Sequence, residues 1–227
     1  MTTPDRPTAG IARSSPGSLA ALLAGIARGV FPAPDGSVTV LPQPSPRDAG
    51  VFGFTAHAVI FAEVDPAWVA KRLAPGDLAA PLRPEFLASL AARLGRRVNS
   101  VDMLSVTAPL PGPPPIPLSP VTGRGHPRVA RARRFRDRVQ AWQADGGGVV
   151  ILGAGVARRW EVAVEVEPGA RGKGLGRKLA AAARHLVPPG EALWAQVAPG
   201  NAASVRAFMA AGYVPVGAEA LLTNAGP

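Results

Sequence analysis

The segment Trp160–Arg184, WEVAVEVEPGARGKGLGRKLAAAAR, predicts a strand, a tight basic glycine turn and a helix in direct succession. Val162, Val164 and Val166 alternate with Glu161, Ala163 and Glu165, so the strand presents one apolar face and one mixed face. Pro168 and Gly169 end it, and Arg177 to Leu186, rich in alanine and leucine, reads as helix. Gly172, Gly174 and Gly176 stand between the two at alternate positions. Without Cβ atoms, they let backbone N–H groups approach a ligand closely. The helix adds its unpaired first-turn N–H groups and the positive end of its dipole. Arg171, Lys173, Arg177 and Lys178 add formal charge. Together these predict an anion site suited to a phosphate or pyrophosphate.

Spacing narrows the kind of turn. A P-loop needs a lysine and then Ser or Thr after its second glycine. Gly169 and Gly174 have the required gap, but Leu175 stands where the lysine belongs. A dinucleotide fingerprint needs a third glycine where Arg177 stands, and a βαβ unit around it. The pattern that fits is R-x-x-G-x-G at Arg171, Gly174 and Gly176, after a strand ending V-x-P. It resembles motif A of the GNAT N-acetyltransferase superfamily. Downstream, Asn201-Ala-Ala-Ser-Val-Arg-Ala-Phe-Met-Ala-Ala-Gly-Tyr213 is similar to that superfamily's N-x-A-[SA]-x-x-x-[YF]-x-x-x-G-[FY] helix. The resemblance covers roughly Leu118 to the C-terminus.

The resemblance implies an N-acetyltransferase that moves an acetyl group from acetyl-CoA to a primary amine of a small molecule or peptide, directly within a ternary complex. It implies a pyrophosphate held by the backbone of Arg171 or Gly172 through Arg177, including Lys173, Gly174, Leu175 and Gly176. The pantetheine arm would pair with Val164, Glu165 and Val166 as an added strand. Asn201 would contact the arm, and Ser204 and Phe208 would pass near the thioester. A chain without cysteine cannot form a thioester intermediate of its own, which agrees with direct transfer. The alternative is a non-catalytic acetyl-CoA-binding regulatory module.

Amine attack on a thioester needs a base for the ammonium proton, a donor for the carbonyl oxygen and, for some leaving groups, an acid. Glu161 and Glu165 are the base candidates, with pairing to Arg158 or Arg159 as the competing role. A backbone N–H near Val166 is the candidate donor. Many family members place an acidic tyrosine where Phe208 stands. Tyr213 is the chain's only tyrosine, so it is the candidate acid, with core packing as the competing role. Ser204, water or unassisted departure of the thiolate are the other routes. His126 and His57 rank behind the glutamates, and His185 reads as structural. No histidine or carboxylate spacing predicts a metal site.

The chain of 227 residues, 47% hydrophobic, has room for two domains. Pro109–Pro120, PLPGPPPIPLSP, is expected to be extended and to separate them. The expected division is a disordered tail at 1–17, a smaller α/β domain at 18–108, a linker at 109–120 and a GNAT-like domain at 121–227 with a mixed sheet and flanking helices. In the first domain, Phe61-Ala-Glu-Val-Asp-Pro66 echoes Ala163–Pro168, and Met103–Pro109 echoes Trp194–Pro199. The first domain thus reads either as a degenerate copy of the second, without the glycines that admit phosphate, or as an unrelated α/β cap.

Net charge is +10, almost all of the excess being arginine, with seven arginines between 124 and 138. The basic helix expected at His126–Arg138 suits a solvated face or an acidic acceptor. Nucleic acid ranks lower, since the helix lacks interleaved aromatics and a nucleic-acid motif. The apolar run Leu19–Ala27 is too short to span a membrane and reads as an amphipathic first helix rather than a signal sequence. A cytoplasmic bacterial enzyme, monomeric or homodimeric, is the resulting expectation.

Overall fold

A computed structural model describes residues 18–122 and 126–224. In chain order its elements are α1 (Leu19–Ala27), β1 (Val38–Leu41), β2 (Ala49–Phe54), β3 (His57–Phe61), α2 (Pro66–Ala70), α3 (Pro84–Leu94), β4 (Arg96–Thr107), β5 (Ser119–Pro120), α4 (Pro127–Phe135), β6 (Asp137–Ala144), β7 (Gly148–Ala154), β8 (Trp160–Val166), α5 (Leu175–Ala183), β9 (Leu193–Val197), α6 (Ala202–Ala210) and β10 (Val214–Asn224). The chain divides into two compact units. One comprises residues up to Gly25, Gly29–Val101 and the C-terminal segment from Gly217; the other comprises Ile26–Arg28 and Asp102–Val216. Among the described residues, no helix is long and apolar enough to cross a membrane. The tail at 1–17 lies outside the described residues.

In the first unit β1 pairs parallel with β3, β3 antiparallel with β2, and β2 antiparallel with residues Ala218–Leu222 of β10. The β2–β3 hairpin turns at Thr55-Ala56. Pro66 opens α2, and the Asp65 carboxylate caps it, accepting from Ala67 N at 2.8 Å. Pro84 opens α3, and Gly95 ends it in the left-handed conformation. The helical spacing of Phe86, Leu87 and Leu90 buries them against Val51, Ile60, Val69 and Leu222.

The second unit is built on a mixed sheet. β6 and β7 form a hairpin, β7 pairs antiparallel with the whole of β8, β8 pairs parallel with β9, and β9 pairs antiparallel with Met103–Thr107 of β4. Even-numbered positions of β7 and β8, Val150, Leu152 and Val162, share a core with Leu179 and Ala183 of α5, and with Phe208 and Tyr213. Odd-numbered positions, Ile151 and Ala163, pack on the other side against Val129 and Ala132 of α4. Helices therefore flank both faces, and the valine face predicted for Val162–Val166 is the one that α5 covers.

Several details differ from the expectation. The proline-rich segment belongs to the second unit rather than lying between the two. Its apolar Ile116 and Leu118 pack on the core, Leu110 N donates to the Arg184 carbonyl at 2.8 Å, and Ser119-Pro120 pairs with β6. Proline removes donors but leaves every carbonyl able to accept, so such a segment can still be pinned. The last strand, β10, runs unbroken through Gly217. Gly217 does not break it, because a bare Cα there lets the Gly53 carbonyl of β2 approach. Helix α4 ends at Phe135, and Arg136 is already extended. Of the two internal echoes, Met103–Thr107 lies in the second unit, paired directly with Leu193–Val197. Phe61 is the last residue of β3, so Glu63-Val64-Asp65 is outside the strand whereas Val164–Val166 is inside β8.

Candidate functional site

Strands β8 and β9 pair only at Trp160 with Leu193 and at Glu161 with Trp194, although β8 runs on to Val166 and β9 to Val197. The sheet is therefore open between them towards the C-terminal end of β8, where the chain enters the glycine turn. Gly172 and Gly174 adopt φ of +76° and +80°, conformations that disfavour any side chain, and a Cβ on either would meet nothing within 4 Å. The turn thus holds a left-handed backbone beside open space. Gly174 is the N-cap of α5, and the first intrahelical bond runs from Lys178 N to the Gly174 carbonyl at 3.2 Å. The N–H groups of Leu175, Gly176 and Arg177 precede that bond and are the orphan donors of the helix start. Helix α5 begins two residues earlier than its composition suggests, because Gly174 rather than Gly176 makes the turn.

A cleft of about 670 Å³ lies here, within the second unit. Of the residues expected to hold the donor, it is lined by Val164, Glu165, Val166, Arg171, Gly172, Gly174, Leu175, Gly176, Arg177, Asn201, Ser204 and Phe208. Lys173 is not on the lining, and its Nζ donates to the Gly169 carbonyl at 3.1 Å. Arg171 Nε donates to the Val166 carbonyl at 3.0 Å, which ties the turn to the end of β8. On the opposite wall Asn201 caps α6, its Oδ1 accepting from Ser204 N at 3.2 Å. Arg128 and Arg206, not singled out individually from the sequence, complete the wall.

The three catalytic candidates occupy different environments. Glu165 is on the cleft wall, its side chain 45% exposed, with Arg128 Nε 3.7 Å from its Oε2. Glu161 is buried. It accepts from Arg136 Nε at 2.8 Å and Arg159 Nε at 2.9 Å, and from Val156 N at 3.3 Å. Burial alone would push its carboxyl up, but the Arg159 and Arg136 charges and hydrogen bonds outweigh it and hold the carboxyl below the usual value. A carboxylate so committed is a weak proton acceptor. Tyr213 is also buried, and its hydroxyl donates to the Ala180 carbonyl at 3.1 Å while its ring meets Phe208 edge-to-face at 4.9 Å. Burial pushes its phenol far above the ordinary value, with the Arg184 charge pulling the other way. This is the geometry of core packing rather than of proton donation.

The histidines lie off the cleft lining. His126 caps α4, Nδ1 accepting from Arg128 N at 3.2 Å. His185 Nδ1 lies 3.1 Å from the Pro111 carbonyl. In the first unit His57 sits between Asp35, Ser37 and Thr39, with Nε2 3.0 Å from Thr39 Oγ1. Hydrogen bonds from Ser37, with His57 adding to them, lower the Asp35 carboxyl to about 2. Gln196 on β9 has its Nε2 buried without a hydrogen-bond partner among the described residues, while its Oε1 is 3.5 Å from Arg136 Nη2. A single polar residue in a strand has no sequence signature that would mark it in advance.

Residues 126–213 match the model of the Acetyltransferase (GNAT) family. Within the C-terminal half, those residues are a GNAT-family domain. The match starts at the cap of α4 and ends at Tyr213, so it contains the open strand pair, the glycine turn and the Asn201-capped helix. Two solved structures are similar to the chain. A GCN5-related N-acetyltransferase from Kribbella flavida is 21% identical, with 62% of this chain and 64% of that chain covered and a TM-score of 0.41. A putative GNAT-family acetyltransferase from Novosphingobium aromaticivorans is 18% identical, with 58% and 69% covered and a TM-score of 0.39. The chain thus spans less than two thirds of the Kribbella protein. No curated protein matches it.

Proposed function

We propose that this GNAT domain is an N-acyltransferase that uses acetyl-CoA and transfers its acetyl group directly to a primary amine. The observation that carries this is one cleft in which the glycine turn, the start of α5, the open β9-side flank of the end of β8 and the cap of α6 converge. Arg171, Arg177 and the first-turn N–H groups of α5 suit a pyrophosphate. The open flank of Val164–Val166 suits an amide-bearing arm added as a strand. Bound there, the donor supplies an activated acyl group and a thiol leaving group.

Glu165 is the base in this reading, because it is the carboxylate on the cleft wall with solvent access. It takes a proton from the acceptor ammonium. The nitrogen lone pair then forms the C–N bond, the C–S bond breaks with its electron pair leaving on sulfur, and the second nitrogen proton is released to water. A backbone N–H of β8 near Val166 holds the carbonyl oxygen. Phe208 and the occupied hydroxyl of Tyr213 leave the thiolate to depart unassisted or to take a proton from Ser204 or water. The proposed donor and the absence of cysteine suit a bacterial cytoplasm.

The test has two arms. Acetyl-CoA should raise the melting temperature, and Gly174→Glu should abolish that rise through backbone strain and repulsion of pyrophosphate; a folded variant that keeps the full rise refutes the site. A panel of amines should release free CoA thiol. The fate of Tyr213 and Phe208 favours a second reading, a domain that binds acetyl-CoA without catalysis, and it predicts the thermal shift with no thiol release.

A further inference from the structure

Arg128 and Glu165 stand side by side on the cleft wall, contributed by α4 and β8. Their separation of 3.7 Å is longer than a hydrogen bond, and their side chains are 42% and 45% exposed. An ion pair of that kind holds itself together weakly and exchanges partners at little cost. Glu161, four residues earlier on the same face of β8, is the opposite case, closed by two arginines at hydrogen-bond distance.

The position of Arg128 is nevertheless well defined. His126 caps its backbone N–H, and Val129 and Ala132 seat the helix on the sheet. The lining holds four arginines, Arg128, Arg171, Arg177 and Arg206, against one carboxylate, Glu165. Arg171 and Arg177 flank the glycine turn where phosphates fit, whereas Arg128 faces the proposed base. A neighbouring guanidinium and carboxylate are the complement of a neighbouring carboxylate and ammonium. On the acyl-transfer reading above, we infer that the acceptor is an α-amino acid, its ammonium directed to Glu165 and its carboxylate held by the fork of Arg128. The acceptor replaces the loose internal pair with two charge-assisted contacts, and the planar guanidinium matches a carboxylate through two parallel N–H donors. An amine without the carboxylate leaves Arg128 facing a cation or nothing.

The experiment compares kcat/KM for a panel of α-amino acids and their α-carboxamides at saturating acetyl-CoA, with the donor dissociation constant measured by calorimetry. The wild-type chain should prefer the acids by roughly ten- to hundredfold, the range of a hydrogen-bonded charge contact. Arg128→Ala should bring that ratio close to one, and Arg128→Lys should retain part of it, with donor affinity unchanged in both. Equal turnover of acids and carboxamides by the wild type overturns the inference while leaving acyl transfer intact. Loss of donor affinity in Arg128→Ala also overturns it, because the arginine then serves the donor. Donor binding with no turnover of any amine overturns the acyl-transfer reading itself, and this inference with it.

Discussion

Replacing Glu161 by alanine should destabilise the domain severely without abolishing the chemistry of the molecules that stay folded. The Arg136 and Arg159 side chains are 13% and 4% exposed, and one carboxylate answers both. Removing one partner of a buried pair typically costs about 3–5 kcal/mol, because a charge is left without compensation. Here two guanidiniums and the Val156 N–H each lose one acceptor together, so the loss should be about 4 kcal/mol. For a chain of this size that corresponds to a fall in Tm of roughly 8–16 °C. Urea unfolding followed by tryptophan fluorescence measures it, since Trp160 adjoins Glu161 in β8. The acid limb provides a second reading. The folded carboxyl lies below its unfolded value, so as pH falls the unfolded chain takes up the proton first. The stability Glu161 contributes is present above about pH 4.3 and is lost below it as the folded group titrates. Glu161→Gln should flatten that limb. Gly155→Ala is an independent probe, because an added Cβ would fall on the Glu161 carboxylate. A loss below about 1 kcal/mol, of the order of one exposed pair, would refute the structural role. So would unchanged stability with a collapse in kcat, which would return Glu161 to the role of base.

Two further outcomes follow from the same geometry. Glu165→Gln should lower kcat/KM by about 10²- to 10⁴-fold with donor affinity retained; undiminished turnover would exclude Glu165 as the base. Tyr213→Phe should cost about 1 kcal/mol, one buried hydrogen bond to Ala180, and leave kcat unchanged, whereas a large loss of kcat at unchanged donor affinity would restore the tyrosine as an acid.

Local features with their own backbone chemistry were legible without coordinates. The glycine turn at 172–176 and Asn201 each mark a helix start, because a left-handed residue or a cap is needed there. The alternation of Val162, Val164 and Val166 marked one shared face, since a strand has a period of two, and the structure packs that face on α5. Features that depend on distant partners were not legible. Ile116 and Leu118 anchor a segment whose proline content alone suggests a free linker. Gly217 continues a strand because of what approaches it, not because of its neighbours in sequence.

The amino-acid order alone therefore determined the glycine turn of the cleft. Such a turn is made by consecutive backbone groups, so Arg171, Gly174 and Gly176 carry it in their spacing, and both it and Asn201 to Tyr213 lie within the GNAT-family match. Which of the two strand carboxylates is accessible was decided only by the tertiary structure. Glu161 and Glu165 are equivalent in the sequence, each on the same face of one strand. Arg136 and Arg159 lock the first in the interior, and α4 brings Arg128 to the second at the cleft wall. A carboxylate's charge, access and proton affinity come from what surrounds it, and those surroundings are assembled from residues far apart in the chain.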